Sequence, residues 1–280
     1  MKFLLPILFL ATLAAAQPPA ASDPARPADA VPAQTLQGVP IDQENSRKAK
    51  ALLDQMVQAL GGQAYLNIQD ISQQGRTYSF YHGQPNSVGT LFWRFYRFPD
   101  KERIELTKQR DVAYVYNGDQ GYEITFKGTA LEDEKTVGDY IRRRQHSLDW
   151  VIRKWLNEAG LALFYEGSTV AEEHPAEQVT LLNAKNDSVT LYIGTDNHLP
   201  IKKSYSWRDP MDKLRSTEDE VYDGYRSVQG VMTPFSVTRF LNGEMSNQRF
   251  LNSVTYNTGV SDSLFSTSIT YDPNKPRPKH

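Results

Sequence analysis

Cysteine is missing from all 280 residues. That excludes disulfides, thiolate nucleophiles and Cys-ligated metals, together with the acylated cysteine that anchors bacterial lipoproteins. Histidine is scarce. His82, His146, His174, His198 and His280 are scattered, with no HExxH motif or i,i+4 pair, and each reads as a solvated structural side chain. GxSxG, P-loop and GxGxxG patterns are absent. No charge of one sign dominates: 31 Lys and Arg face 33 Asp and Glu, a net −2. That balance gives no electrostatic case for a nucleic-acid partner. The one dense basic run, Arg142-Arg143-Arg144, reads as a solvated helix face. Glu218-Asp219-Glu220 reads as a charged edge strand. With no recognisable catalytic constellation, the chain reads as a non-enzyme that needs neither cofactor nor metal. A hydrolase with dispersed carboxylates is the lesser alternative.

The only long apolar run lies at the start. Residues 1–16, MKFLLPILFLATLAAA, have a lysine, a short apolar stretch and a small-residue end. This is the pattern of a secretory signal peptide cleaved before Gln17, and the run is too short for a comfortable membrane span. The expectation is a soluble periplasmic protein without a lipid anchor. Residues 17–43 are rich in Pro and Ala without an apolar period, as in a disordered linker, and 272–280 read as a disordered tail. Residues 44–271 are then one domain.

Within that domain the apolar period changes. Ala49, Leu52, Leu53, Met56, Val57 and Leu60 recur at helical spacing and Gly61-Gly62 follows, so a helix is expected over 44–60. Alternating runs then predict strands near 68–81, 88–98, 102–108, 111–116 and 121–126. They resume near 162–172, 176–183, 187–193, 200–208, 213–225, 231–241 and 245–256. Asn117-Gly118 and Asn242-Gly243 mark tight hairpins. Between the two sets, residues 136–160 are helical in period, with Leu148, Val151, Ile152, Trp155 and Leu156 on one face. The expected fold is mainly β with an α lid. It is a half-open antiparallel barrel of about eleven strands, with an amphipathic N-terminal helix and inserted helices over an apolar hollow.

Strand faces nominate the lining. In TLFWRFYR, 90–97, one face carries Leu91, Trp93 and Phe95 and the other Phe92, Arg94 and Tyr96. The wholly apolar face is taken as the inner one, beneath Val151, Ile152, Trp155 and Leu156. Leu191, Tyr205, Trp207, Phe235 and Val237 come from other strands with one apolar face. Pattern alone leaves open whether these groups enclose a hollow or meet in a filled core.

Several strings resemble the LolA/LolB-like superfamily of periplasmic lipoprotein carriers. They are the helix ending in Gly61-Gly62, RFPDKERIEL at 97–106, YNGDQGYEI at 116–124 and NHLPIKKSY at 197–205. YDGYRSVQGVMTPFSV at 222–237 and SDSLFS at 261–266 complete the series, which spans most of residues 44–266. The resemblance implies an incomplete barrel with a helical lid, binding acyl chains of a lipid or lipoprotein without catalysis. It also implies a strand arginine that holds the lid, with Arg97 the candidate and Arg103 the second. Partners would be the acyl chains and an inner- or outer-membrane component. The alternative from a different class is an envelope interaction or sensor module that uses its curved sheet, with an incidental cavity.

Overall fold

A computed structural model describes residues 41–209 and 213–272. The expected signal peptide, most of the linker and tail residues 273–280 lie outside the described residues. The first helix, α1, runs Ile41–Leu60, so the final residues assigned to the linker are helical. Its buried side chains Ala49, Leu53, Met56 and Leu60 repeat at the three- and four-residue steps of one helix face. At its end, Gly61 has φ 126°, and a Cβ there would lie 2.4 Å from the Gly230 carbonyl oxygen. Only glycine lets the helix end against that turn. A single turn, α2 (Gln63–Leu66), follows.

Fourteen strands form one antiparallel sheet. They are β1 (Asp70–Tyr81), β2 (Gln84–Pro85), β3 (Thr90–Arg97), β4 (Lys101–Leu106), β5 (Val112–Asn117), β6 (Gln120–Thr125) and β7 (Gly128–Leu131). After the helices come β8 (Ala162–Ala171), β9 (His174–Leu182), β10 (Ser188–Gly194), β11 (Pro200–Arg208), β12 (Arg215–Val228), β13 (Val231–Leu241) and β14 (Glu244–Tyr256). The order is β7-β6-β5-β4-β3-β1-β14-β13-β12-β11-β10-β9-β8, with β2 paired only to β1. The first and last strands of the domain therefore pair in the middle of the sheet. The strands adjacent to the helical insert, β7 and β8, form its two free edges. The barrel is open there, and α3 (Glu134–Gln145) and α4 (Leu148–Arg153) cross from one edge to the other.

Asp133 and Ser147 cap these two helices, each accepting a backbone N–H with its side chain. The cap at Ser147 marks the break between the two inserted helices. The strand count exceeds the expected eleven because β2 and β7 are too short to show alternation. The expected edge strand at Glu218–Glu220 is corrected: β12 lies inside the sheet between β11 and β13.

One half of the concave face is filled. α1 packs on β8, β9 and β13. Leu53 and Met56 of α1, and Val151, Ile152 and Trp155 of the insert, share a core with Val179, Leu181, Val189, Leu191 and Ile193. On the convex face the C-terminal segment lies over β4 and β5. It buries Phe265, 1% exposed, in a short 3-10 turn at Asp262–Phe265.

Candidate ligand-binding site

The other half of the concave face is hollow. A cavity of about 440 Å³ lies between β1, β3, β4 and β12–β14 on one side and α2, α3 and α4 on the other. That volume falls within the roughly 300–1,000 Å³ of small-molecule clefts. Its floor follows the strand pairing. Leu251, Gly75, Phe92 and Leu106 stand in one cross-strand row, and Val237, Arg249 and Thr77 in a neighbouring one. In β14 an extra residue, Asn252, bulges between the partners of Gln74 and Gly75. The bulge shifts the inward parity, so that Arg249 and Leu251 line the cavity on one side of it and Tyr256 on the other.

The expected faces of β3 are exchanged. Phe92, Arg94 and Tyr96 line the cavity, which places Leu91, Trp93 and Phe95 on the convex side. There the Arg110 guanidinium covers the rings of Trp93, at 5.1 Å, and Phe95, at 5.8 Å. A cation over a ring is a way of sheltering an outward aromatic, and it lets the more apolar face be the outer one. Val151, Ile152, Trp155 and Leu191 belong to the filled core, and Leu156 packs against it. Tyr205 is buried and stacks on His146 at 4.4 Å and on Trp207 at 5.5 Å. Phe235 lies against the Arg226 guanidinium at 4.4 Å. Of the expected lining residues, Val237 is on the cavity wall.

The lid candidates are likewise relocated. Arg97 bonds the Val260 carbonyl and pairs with Asp262 at 2.7 Å. Arg103 pairs with Glu105 at 2.7 Å and reaches the Leu264 carbonyl at 3.4 Å. Both arginines therefore fasten the C-terminal segment on the convex side and make no bond to the lid.

The inward arginine of β3 is Arg94. It pairs with Glu102 of β4 and donates to the Gln73 side chain at 3.3 Å. Tyr140 of α3 donates to the second Glu102 oxygen at 2.7 Å and stacks on Tyr116 at 3.6 Å. The helix is thus latched to the floor through a carboxylate. Burial alone would push the Glu102 carboxyl up. The Arg94 charge and the hydrogen bonds from Tyr140 and Arg94 outweigh burial and hold the carboxyl below its ordinary value.

Other bonds tie down the rest of the insert. Arg144 is buried and donates to the Gly118 carbonyl at 2.7 Å. Arg142 lies 4.0 Å over the Trp207 ring. Arg142 and Arg144 therefore anchor the insert and Arg143 faces the cavity, contrary to the solvated face expected of this run. Tyr65 of α2 donates to Asp149 of α4 at 2.6 Å, and Arg153 to the Ile68 carbonyl at 2.6 Å.

A second polar group sits on β11–β13. Lys203, 1% exposed, pairs with Glu220 at 2.9 Å. Arg239 pairs with the same carboxylate at 2.9 Å, and Tyr222 donates to it at 3.0 Å. Burial raises the Glu220 carboxyl, but Lys203 and Arg239 more than reverse this and hold it well below its usual range. The alternation rule places Glu218 and Glu220 on one face, and that face points inward.

Sequence reasoning missed Arg94, Glu102, Tyr140, Glu220, Arg239 and Arg249. One available signal was an arginine within the aromatic face Phe92-Arg94-Tyr96, followed by a glutamate in the next strand. A charge held among rings inside a sheet needs a partner.

No protein-family model and no curated protein matches this sequence. Solved structures do share its fold. A DUF1329 family protein from Desulfovibrio piger superposes with a TM-score of 0.55 at 13% identity, covering 78% of this chain and 97% of that one. A putative outer membrane lipoprotein-sorting protein domain from Vibrio parahaemolyticus gives 0.53 at 8% identity, covering 79% and 97%. A LolA superfamily protein from Nitrosomonas europaea gives 0.48 at 11% identity, covering 78% and 97%. The first two establish the open antiparallel sheet with its helical insert as a fold that known proteins share.

Proposed function

We propose that this protein is a periplasmic carrier that shelters acyl chains of a lipid or lipoprotein in the cavity under α3 and α4, without catalysis. The observation that carries the reading is the cavity itself. It lies on the concave face of an open sheet, is floored by Leu251, Phe92 and Leu106, and is roofed by an insert tied down at both ends. An acyl chain leaving water for such a floor gains about 0.8 kcal/mol per buried methylene. The shared fold with a putative lipoprotein-sorting domain is consistent with that cargo. A membrane component of the envelope would deliver or accept it. The residues at 1–16 fit export, and no helix among the described residues is long and apolar enough to cross a membrane.

The charged groups also favour binding over chemistry. Glu102 and Glu220 are locked in ion pairs that keep them ionised, whereas a general acid needs its carboxyl pKa raised toward neutrality.

Native mass spectrometry of protein purified without detergent from a membrane-containing host tests the reading. The expected result is added mass that organic extraction releases as lipid. A bare polypeptide mass, together with no uptake of a fluorescent fatty acid, would overturn it.

A further inference from the structure

The cavity has a cationic wall that the sheet does not neutralise. Five arginines line it against three carboxylates, and one of the five, Arg144, pairs with Asp119 outside the cavity at 3.3 Å. Two of those carboxylates, Glu102 and Glu220, already carry ion pairs, and the third, Asp149, accepts from Tyr65. The Arg249 side chain makes no hydrogen bond or ion pair among the described residues, and its Nε is buried without a partner. Burial first, then the neighbouring Arg94 charge with Arg239 behind it, push its guanidinium down to about 10, and the pull of Glu220 and Glu102 offsets this only in part. An arginine left in this state is disfavoured unless something supplies the missing negative charge.

The surroundings of Arg249 fit an anion. Thr77 stands directly across from it on β1 and also lines the cavity. The Thr77 hydroxyl oxygen accepts from the Asn247 amide at 2.9 Å, so its own proton is available to a ligand. The Arg143 side chain, from the lid helix, faces the same cavity and likewise has no ion pair or hydrogen bond among the described residues. Beyond Thr77 and Arg249, the adjacent row of Leu251, Gly75 and Phe92 is apolar. A cationic station therefore borders an apolar floor.

We infer that the ligand is an anionic amphiphile, whose carboxylate or phosphate head docks on Arg249 and Thr77 while its chain lies over Phe92, Leu106 and Leu251. This rests on the carrier reading above and specifies its cargo. A planar guanidinium takes such a head through paired charge-assisted bonds, and opposite charge from the ligand relieves the repulsion among Arg249, Arg94 and Arg239.

The test is a binding series on delipidated protein with palmitate, monohexadecyl phosphate and hexadecanol, and with acetate and inorganic phosphate alone. Both alkyl anions are expected to bind about tenfold or more tightly than the alcohol, the discrimination of a hydrogen bond to a charged group. Arg249→Met should abolish that preference and leave hexadecanol affinity unchanged, which also shows that the variant folds. Arg249→Lys should keep part of the preference, and Thr77→Val should reduce it. Equal affinities for the three chains in the native protein would overturn the inference while sparing the carrier reading. So would a preference that survives Arg249→Met. Failure to bind any of the three chains would remove the carrier reading and this inference with it. Free phosphate or acetate binding as tightly as the alkyl anions would overturn the amphiphile and leave a small-anion site.

Discussion

At the scale of single residues, the chain places charges where alternation alone would put apolar groups, and Arg94, Glu102, Lys203 and Glu220 are answered by partners. His146 shows how such a group becomes a liability with pH. It is buried, stacks on Tyr205, and its Nδ1 donates to the Arg142 carbonyl at 2.7 Å, which requires the proton on that nitrogen. Burial pushes its pKa below the ordinary 6.5, only partly offset by that hydrogen bond and by Asp187, while Lys203 and Arg142 push the same way as burial. The unfolded chain therefore binds the proton more readily than the folded one. Stability from this site is full above about pH 6.5 and declines as pH falls from there toward the folded value. Thermal melts at stepped pH should show that decline in the native protein and a flatter profile in His146→Gln. Identical profiles would mean the imidazole has no part in it. The sequence places this histidine beside the lid but reads it as solvated; it is buried between Trp155 of the insert and Tyr205 of β11, far away in the chain.

At the scale of elements, what could be read was whatever a period announces. The α1 stripe was legible because Leu53 and Met56 repeat at helical spacing and nothing else in the chain disturbs it. That stripe also sets the size of the next effect. Leu53 is 0% exposed in a core shared with strands from the far half of the sheet. Leu53→Ala should therefore cost about 2–5 kcal/mol of unfolding free energy, read as a lowered denaturant midpoint with the slope unchanged. A loss below 1 kcal/mol would mean that α1 is loosely docked. Twelve strand runs were legible for the same reason as α1. β2 and β7 were not, since two and four residues hold too little alternation. The inward face of β3 was illegible in principle. Both of its faces are aromatic, and what decides between them is Arg110, on a loop more than ten residues away, shielding Trp93 and Phe95. The same limit hid the site. Glu102 and Tyr140 are unremarkable apart and meet Arg94 only when β3, β4 and α3 are assembled.

At the scale of the whole molecule, the order of strands explains why there is a site at all. Because β1 pairs with β14, the chain closes its ends at the centre of the sheet and leaves β7 and β8 as free edges. The insert between them must then cross the opening, which makes the connection and the lid one element. Its α4 end is anchored through Tyr65–Asp149 and Arg153–Ile68, and its α3 end through Tyr140–Glu102 and Arg144–Gly118. If ligand leaves by release of the α3 end, fixing that end should trap it. The missing cysteines make the experiment clean, since any disulfide introduced is the only one. A Cβ at Gly121 in β6 would lie 2.8 Å from a Val137 methyl on α3, close enough for the roughly 3.5–4.5 Å Cβ separation of a disulfide. Gly121→Cys combined with Val137→Cys, oxidised, should slow exit of a loaded fluorescent fatty acid, and reduction should restore the native rate. A lid that gates exchange in this way is a common arrangement for buried ligands. An exit rate indifferent to oxidation, with the disulfide confirmed by mass, would place the way out elsewhere.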